Sequence, residues 1–277
     1  MLGGTLEVIL FDVTPVEIRI RALGELLDQV TPPEPDPATG RRRDRGVYRG
    51  MSDARWPLLT SLDQLGGVNP PHTKAGLEEH LLRNFIRYSR PHLLAQPINE
   101  WELLIAAQHH GMPTRLLDWS YSPLVAAHFA TVNGNDRSDR VVWRLDWRMV
   151  HRKFGLRELA FLTDDLQRVF REGEPFTPWE LFQRERPHPV FACMIEPPSL
   201  DARIVAQSAT FTLCSDKHQS FDGFLNRHGL EDALTKFIIP AGEAERIRDQ
   251  LDLAGVDERL IFPDLDGVAA RMRRYYS

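Results

Sequence analysis

The stretch Gln108-His109-His110-Gly111-Met112-Pro113-Thr114-Arg115-Leu116-Leu117-Asp118-Trp119-Ser120-Tyr121-Ser122-Pro123-Leu124-Val125-Ala126-Ala127-His128-Phe129-Ala130 decides how the chain is read. It opens at the end of a helix. Pro97 precedes Asn99, which can cap, and Glu102 follows three positions on, as in a capping box. Trp101, Leu104 and Ile105 give this helix a buried stripe. Gly111 can end it in the left-handed conformation, and Pro113 forbids continuation. Arg115 and Asp118 flank two leucines that belong in a short buried strand, so the two charges are expected to pair with each other or with the adjoining turn. The strand feeds the polar turn Trp119–Ser122, where Ser122 is a natural cap and Pro123 suits the first helical position. The free N–H groups of that helix start form a ready anion site. Polar and ionisable groups therefore crowd between two helices, a place where function concentrates.

Outward from this block, residues 5–12 read as a strand and Ile18 to Val30 as a helix. Residues 31–46 hold four prolines and then Arg41, Arg42, Arg43 and Arg45, the composition of a solvated loop. Val47 to Gly50 is strand-like, and Leu77 to Tyr88 is an amphipathic helix. Downstream, Val141 to Trp147 alternates as a strand does. Residues 150–188 are charged, with helical spacing from Phe154 to Phe170, and read as a helical insertion. Strands are expected at 190–195, 204–213, 236–239 and 260–262, with helices after Ala244 and from Asp264. Strands and helices mix without strict alternation. The expected fold is therefore α+β, a mixed, largely antiparallel, twisted or split sheet flanked by helices. Residues 1–46 read as a strand-helix segment with a Pro/Arg-rich loop, and 47–277 as the main domain.

With 277 residues, 42% of them hydrophobic and 26% charged, the chain can bury a large core without staples. A net charge of −5 gives no whole-molecule attraction to nucleic acid or anionic membrane. Lys74, Lys153, Lys217 and Lys236 are the only lysines, so 30 of the 34 basic residues are arginine, whose planar fork suits phosphate and carboxylate. With two cysteines, no secretory leader and no long apolar run, the chain reads as cytoplasmic, with no membrane partner.

Three marks carry a resemblance to the FRG domain family. These are the aromatic-Arg-Gly tripeptide Tyr48-Arg49-Gly50, the run from Gln108 to Ser120, and Arg203-Ile204-Val205-Ala206-Gln207-Ser208-Ala209-Thr210-Phe211, in which Ser208-Ala209 stands where the family commonly has Gln-Gly. Leu260 to Gly267 is similar too, so the likeness runs from 47 to 275. The order of motifs also resembles that of ADP-ribosyltransferases. There an early-strand Arg holds the diphosphate or ribose, a Ser/Tyr-rich strand entering an Ala-rich helix supports the nicotinamide, and a late-strand Glu or Gln holds the reacting ribose. The resemblance implies NAD as co-substrate, with Tyr48, Arg49, Gly50, Arg115, Trp119, Ser120 and Ser122 as its binding residues. It implies Gln207 on the reacting ribose, with His110 or Asp118 as the general base that a neutral Gln207 leaves wanting. Arg49, Arg115 and Gln207 should then line one cleft. Adjacent helical positions diverge by about 100°, so only one of His109 and His110 should face it, and His110, beside Gly111, is the choice.

Such an enzyme would transfer ADP-ribose or cleave NAD, with a protein or nucleic acid among its acceptors, and would suit a toxin or antiphage defence role. Three other readings stay open. One is a nucleotide- or phosphate-sensing module without catalysis, using the same arginines. Another is a metal-dependent hydrolase or nuclease built on His109, His110 and Asp118, against which no HExxH run or paired CxxC occurs and no metal is expected. The last is a protein-interaction scaffold.

Overall fold

β-Branched and aromatic residues at alternating positions build a seven-stranded sheet in the computed structural model, which describes residues 15–66, 69, 72–92, 97–132, 137–169, 175–182, 189–216 and 219–276. The strands are β1 (Val16–Arg19), β2 (Val47–Met51), β3 (Leu116–Ser120), β4 (Arg140–Leu145), β5 (Ala192–Ile195), β6 (Ala209–Cys214) and β7 (Leu234–Ile239). Their order is β1-β7-β4-β2-β3-β6-β5, with β1 parallel to β7 and every other pairing antiparallel. The helices are α1 (Leu23–Val30), α2 (Ser61–Gln64), α3 (Lys74–Ser89), α4 (Glu100–His109), α5 (Pro123–Thr131), α6 (Trp147–Lys153) and α7 (Thr163–Val169). They continue as α8 (Pro178–Phe182), α9 (Ala202–Ala206), α10 (Phe221–Arg227), α11 (Ala244–Leu253), α12 (Glu258–Ile261) and α13 (Leu265–Tyr275). The fold is α+β, as its mixture of elements implied.

One face of the sheet carries a single apolar core, in which Val47, Trp119, Trp143 and Met194 pack with residues of α6 and α10. The other face carries two. Tyr48, Val142 and Phe237 pack beneath α1, α5 and α11, whereas Leu116, Phe211 and Ile195 pack beneath α3, α4, α7 and α8. A groove runs between these two cores, at the β2–β3 joint. That joint has one register pair, Tyr48 with Ser120, against five for β2–β4 and five for β3–β6. Beyond Tyr48 the two strands part. On the same face, a Cβ on Gly50 would lie 1.8 Å from the Ala126 carbonyl, so β2 and α5 touch backbone to backbone.

The central block folds largely as its caps dictate. Asn99 accepts from Glu102 N at 3.0 Å, but the Glu102 carboxylate returns to Ile98 N, one residue upstream of a true capping box. Gly111 takes φ +82° past the helix end, and Ser122 caps α5 by accepting from Val125 N. Several expectations need correction. Ile18 and Ile20 lie on or beside β1, whose β-branched alternation wins in parallel pairing with β7, and the helix starts only at Leu23. Ile204 to Gln207 is not strand: Asp201 caps Ile204 N and makes α9, with Gln207 at its end. Leu260 to Phe262 is likewise helical, because Asp257 caps α12. Of the helix expected from Phe154 to Phe170, only Thr163–Val169 forms, as α7; Phe154 is the C-cap of α6, which begins at Trp147 where strand was expected, and Gly155 follows at φ +67°. The strand read at 5–12 lies outside the described residues, while β1 in the same segment joins the common sheet through β7.

Arg115 does not pair with Asp118. Its guanidinium makes a two-pronged bond to Glu78 of α3, with both side chains 3% exposed and Nε to Oε1 at 2.6 Å. Strand alternation sends Asp118 to the groove, so a carboxylate on α3, 37 residues away in sequence, and not the near neighbour, neutralises Arg115. Removing the carboxylate would strand a buried cation. Glu78→Ala is expected to lower unfolding stability by about 3–5 kcal/mol in a denaturant titration, whereas a loss under about 1 kcal/mol would show the pair to be dispensable.

Buried His128 of α5 sits 3.0 Å from Arg248 Nη1, a donor that requires Nδ1 to be the acceptor and the ring neutral. Burial first, and then the Arg248 charge, push its pKa down to about 4. The unfolded chain takes up this proton near pH 6.5 and the folded one only near pH 4, so stability is full above 6.5 and falls as pH drops between the two. The loss can reach about 3 kcal/mol. Guanidine titrations across this range should show His128→Gln with a shallower pH slope than the parent. Parallel slopes would contradict the assignment.

Candidate functional site

The groove at the parted joint is a cleft of about 710 Å³, within the roughly 300–1,000 Å³ range of small-molecule and cofactor sites. Three separated segments line it: Tyr48–Met51 of β2 with Ser52 just after it, residues of the central block from Gln108 to Phe129, and Arg203, Ile204, Gln207, Ala209 and Phe211 on or beside α9 and β6. Trp56 and Gln64 also contribute to the wall.

Arg49 reaches across the parted strands. Its Nη1 donates to the Asp118 carbonyl at 2.7 Å and lies 3.5 Å from the Asp118 carboxylate. Gln108, in the last turn of α4, donates its amide to both Asp118 oxygens, at 3.1 and 3.0 Å, and so fixes that carboxylate in the cleft. Thr114 in turn donates to Gln108 Oε1 at 2.5 Å and sets the amide's orientation. Asp118 is 54% exposed, and among the described lining residues it is the sole carboxylate. Around it stand Arg49, Arg203, His109 and His110. Arg49 and Arg203 each keep a buried Nε–H without a partner among the described residues. The Arg203 guanidinium lies 4.7 Å from the centre of the Phe262 ring. The cleft is thus an anion-seeking surface with one carboxylate set into it.

The histidines do not divide as helix geometry implied. His110 is the C-cap of α4 and no longer follows the helical repeat, so both rings reach the cleft, 5.3 Å apart and nearly perpendicular. His109 Nε2 lies in close contact with the carboxylate of Asp201, the residue that caps α9. Burial lowers the His109 pKa, and Asp201 partly offsets that.

Of the residues singled out from sequence, His110, Gln207, Asp118, Tyr48, Arg49, Gly50, Trp119 and Ser120 lie on the cleft wall; Arg115 and Ser122 do not. Arg115 is held outside the cleft by Glu78 of α3, and Ser122 is spent on capping α5, so the expected anion site at that helix start is not part of the cleft. Trp119 is 3% exposed, with Nε1 donating to Thr212 at 3.0 Å, and its ring belongs to the core beneath. Tyr48 is buried too, its hydroxyl bonded to Asp44. Gln207 is anchored twice: its carbonyl accepts from Ser120 Oγ at 2.7 Å and its amide donates to Ile261 O at 3.2 Å. Arg203, Gln108 and Asp201 were not singled out. Reading Asp201 as a helix cap would have found Arg203, because α9 then places Arg203 and Gln207 four apart on one face.

Among the described residues, no three His, Cys, Asp or Glu side chains gather as a metal-binding group. No helix among them is long and apolar enough to cross a membrane.

Removing the Asp201 charge while keeping a capping oxygen leaves His109 with its burial and the charges of Arg203 and His110, all of which lower its pKa. In Asp201→Asn the His109 pKa should therefore fall below the parent value, read from ring-proton shifts in an NMR titration. An unchanged or raised value would break the link between the two residues.

Residues 44–139 match the family model of the FRG domain. That span holds Tyr48-Arg49-Gly50 and the whole Gln108–Ala130 block, while the likenesses at 203–211 and 260–267 fall outside it. Comparison with curated proteins and with solved structures returns no match. The chain carries an FRG domain at residues 44–139.

Proposed function

We propose that the cleft binds NAD and breaks its nicotinamide–ribose bond, passing ADP-ribose to an acceptor or to water. One observation carries this reading: two arginines from different segments, Arg49 and Arg203, share a nucleotide-sized cleft with a single oriented carboxylate, Asp118. The arginines suit the diphosphate, where forked guanidiniums bind best. As the C1′–N bond breaks, its electron pair leaves with nicotinamide and positive charge builds on the ribose. Asp118, steadied by Gln108, would face that charge. The incoming hydroxyl bonds to C1′ through oxygen and gives its proton to a base, for which His110, exposed on the cleft wall, is the candidate. Gln207, tied to Ser120 and Ile261, would shape the wall rather than act on the sugar. Trp56, 54% exposed, is an aromatic ring available to a base.

The same anchoring of Gln207 favours a second reading, a module that binds a nucleotide without turning it over. The two readings share the arginines and part at the chemistry. Arg49→Lys and Arg203→Lys should each weaken ADP-ribose binding by about 1–3 kcal/mol in calorimetry without changing the melting temperature. Asp118→Asn should retain binding but release nicotinamide from NAD at least about a hundredfold more slowly. Affinity unchanged in both arginine variants would remove the cleft as the site. ADP-ribose binding with no nicotinamide released by the parent, alone or with candidate acceptors, would leave the sensing reading.

A further inference from the structure

The two cleft arginines are held by different means. Arg49 spends a guanidinium nitrogen on the Asp118 carbonyl and stands beside the Asp118 carboxylate. Arg203 has no side-chain hydrogen bond or ion pair among the described residues, and its Nε–H is buried without a partner. What lies against its head is the ring of Phe262, whose centre is 4.7 Å from the guanidinium carbon. The difference has a chemical consequence. A ring face attracts a cation through its quadrupole and occupies none of the N–H donors. A carboxylate would neutralise the charge and take up two donors. Arg203 is therefore fixed while its charge and its donors stay open to an anion.

The Phe262 ring is itself well held. It ends α12, and its N–H donates to the Glu258 carbonyl at 2.8 Å. Phe129 of the cleft wall meets it edge to face, with ring centres 6.2 Å apart and planes at 88°. On the far side the Phe262 carbonyl lies against Gly267 of α13, where a Cβ would come within 1.9 Å of it. Arg271 and Arg274 tie α13 to Asp252, Asp257 and Glu258, so this support is anchored in turn. The preceding carbonyl, Ile261, accepts from the Gln207 amide at 3.2 Å. Helix α9 is thus gripped twice by α12, at Arg203 by a ring and at Gln207 by a carbonyl. Both α12 and α13 lie outside the span of the FRG domain model.

We infer that Phe262 is a positioning residue: its ring presents the Arg203 guanidinium to the cleft with its N–H donors free for an anion. The C-terminal helices are then the support of the anion site. The placement holds without any ligand. That the anion is the diphosphate of NAD rests on the function proposed above.

The placement is tested in the ligand-free protein by NMR of the Arg203 Nε–H signal, assigned by its loss in Arg203→Met. The ring current should displace this signal from the ordinary arginine position in the parent and in Phe262→Tyr, and Phe262→Leu should return it. Calorimetry with ADP-ribose tests the consequence, with melting temperature as the control for folding. Phe262→Leu should weaken binding about tenfold, the loss of a partly desolvated cation–π contact, and Phe262→Tyr should restore affinity to within about twofold. In Arg203→Met, adding Phe262→Leu should cost nothing further. An ordinary signal position in the parent, or one indifferent to Phe262→Leu, overturns the proposal. So does a loss of affinity that persists in the Arg203→Met background or that Phe262→Tyr fails to rescue, since a ring that only packs would behave in that way. A displaced signal in a parent that binds no ADP-ribose supports the placement and overturns the nucleotide reading of the cleft.

Discussion

The close approach of β2 to α5 at Gly50 is the constraint on which the site depends. With no Cβ there, the strand lies directly on the Ala126 turn of the helix, and any side chain would force the two apart. This contact holds β2 in the layer shared with α1, α5 and α11, while β3 stays with the layer of α3, α4, α7 and α8. Two neighbouring strands drawn toward different cores keep a single register pair between them, and the cleft opens where pairing stops. Arg49, next to the glycine, is thereby carried to the mouth of the opening and bridges it to Asp118.

The arginine content has a structural use beyond composition. Arg115 with Glu78, Arg144 with Asp44, and Arg274 with Asp252 each use two guanidinium nitrogens on one carboxylate. A lysine cannot make that fork. The Arg144–Asp44 pair ties the proline-rich loop to β4, and the Tyr48 hydroxyl joins the same carboxylate. Burial pushes the Asp44 pKa up, but the bonds from Arg144 and Tyr48 outweigh it and hold it below the usual value. The start of β2 is thus fixed at both ends, by a charge cluster before it and a backbone contact within it.

Much of this was legible in the sequence because local chemistry and tertiary context agree there. Asn99, Gly111, Ser122 and Pro123 mark helix ends by mechanisms that need no partner beyond the next turn. The failures share a cause. Ile204–Gln207 and Leu260–Phe262 are apolar runs too short to show a period, and only their caps, Asp201 and Asp257, tell helix from strand. Arg115 could not be assigned a partner, since Glu78 lies 37 residues away and strand alternation separates Arg115 from the near and obvious Asp118. His109 and His110 reach the same cleft because the second is a cap rather than a helical residue, a departure set by Gly111. That the cleft lies between two apolar cores of one sheet face is a fact of topology, which spacing along the chain does not encode.

The most direct test of the central claim is a crystal structure of the protein with ADP-ribose bound. The expected result places the diphosphate between the guanidiniums of Arg49 and Arg203, with the ribose that would carry nicotinamide beside Asp118. A diphosphate seated elsewhere, such as on the arginine-rich loop of residues 41–45, or a cleft that stays closed by the Arg49–Asp118 contact at saturating ligand, would contradict it.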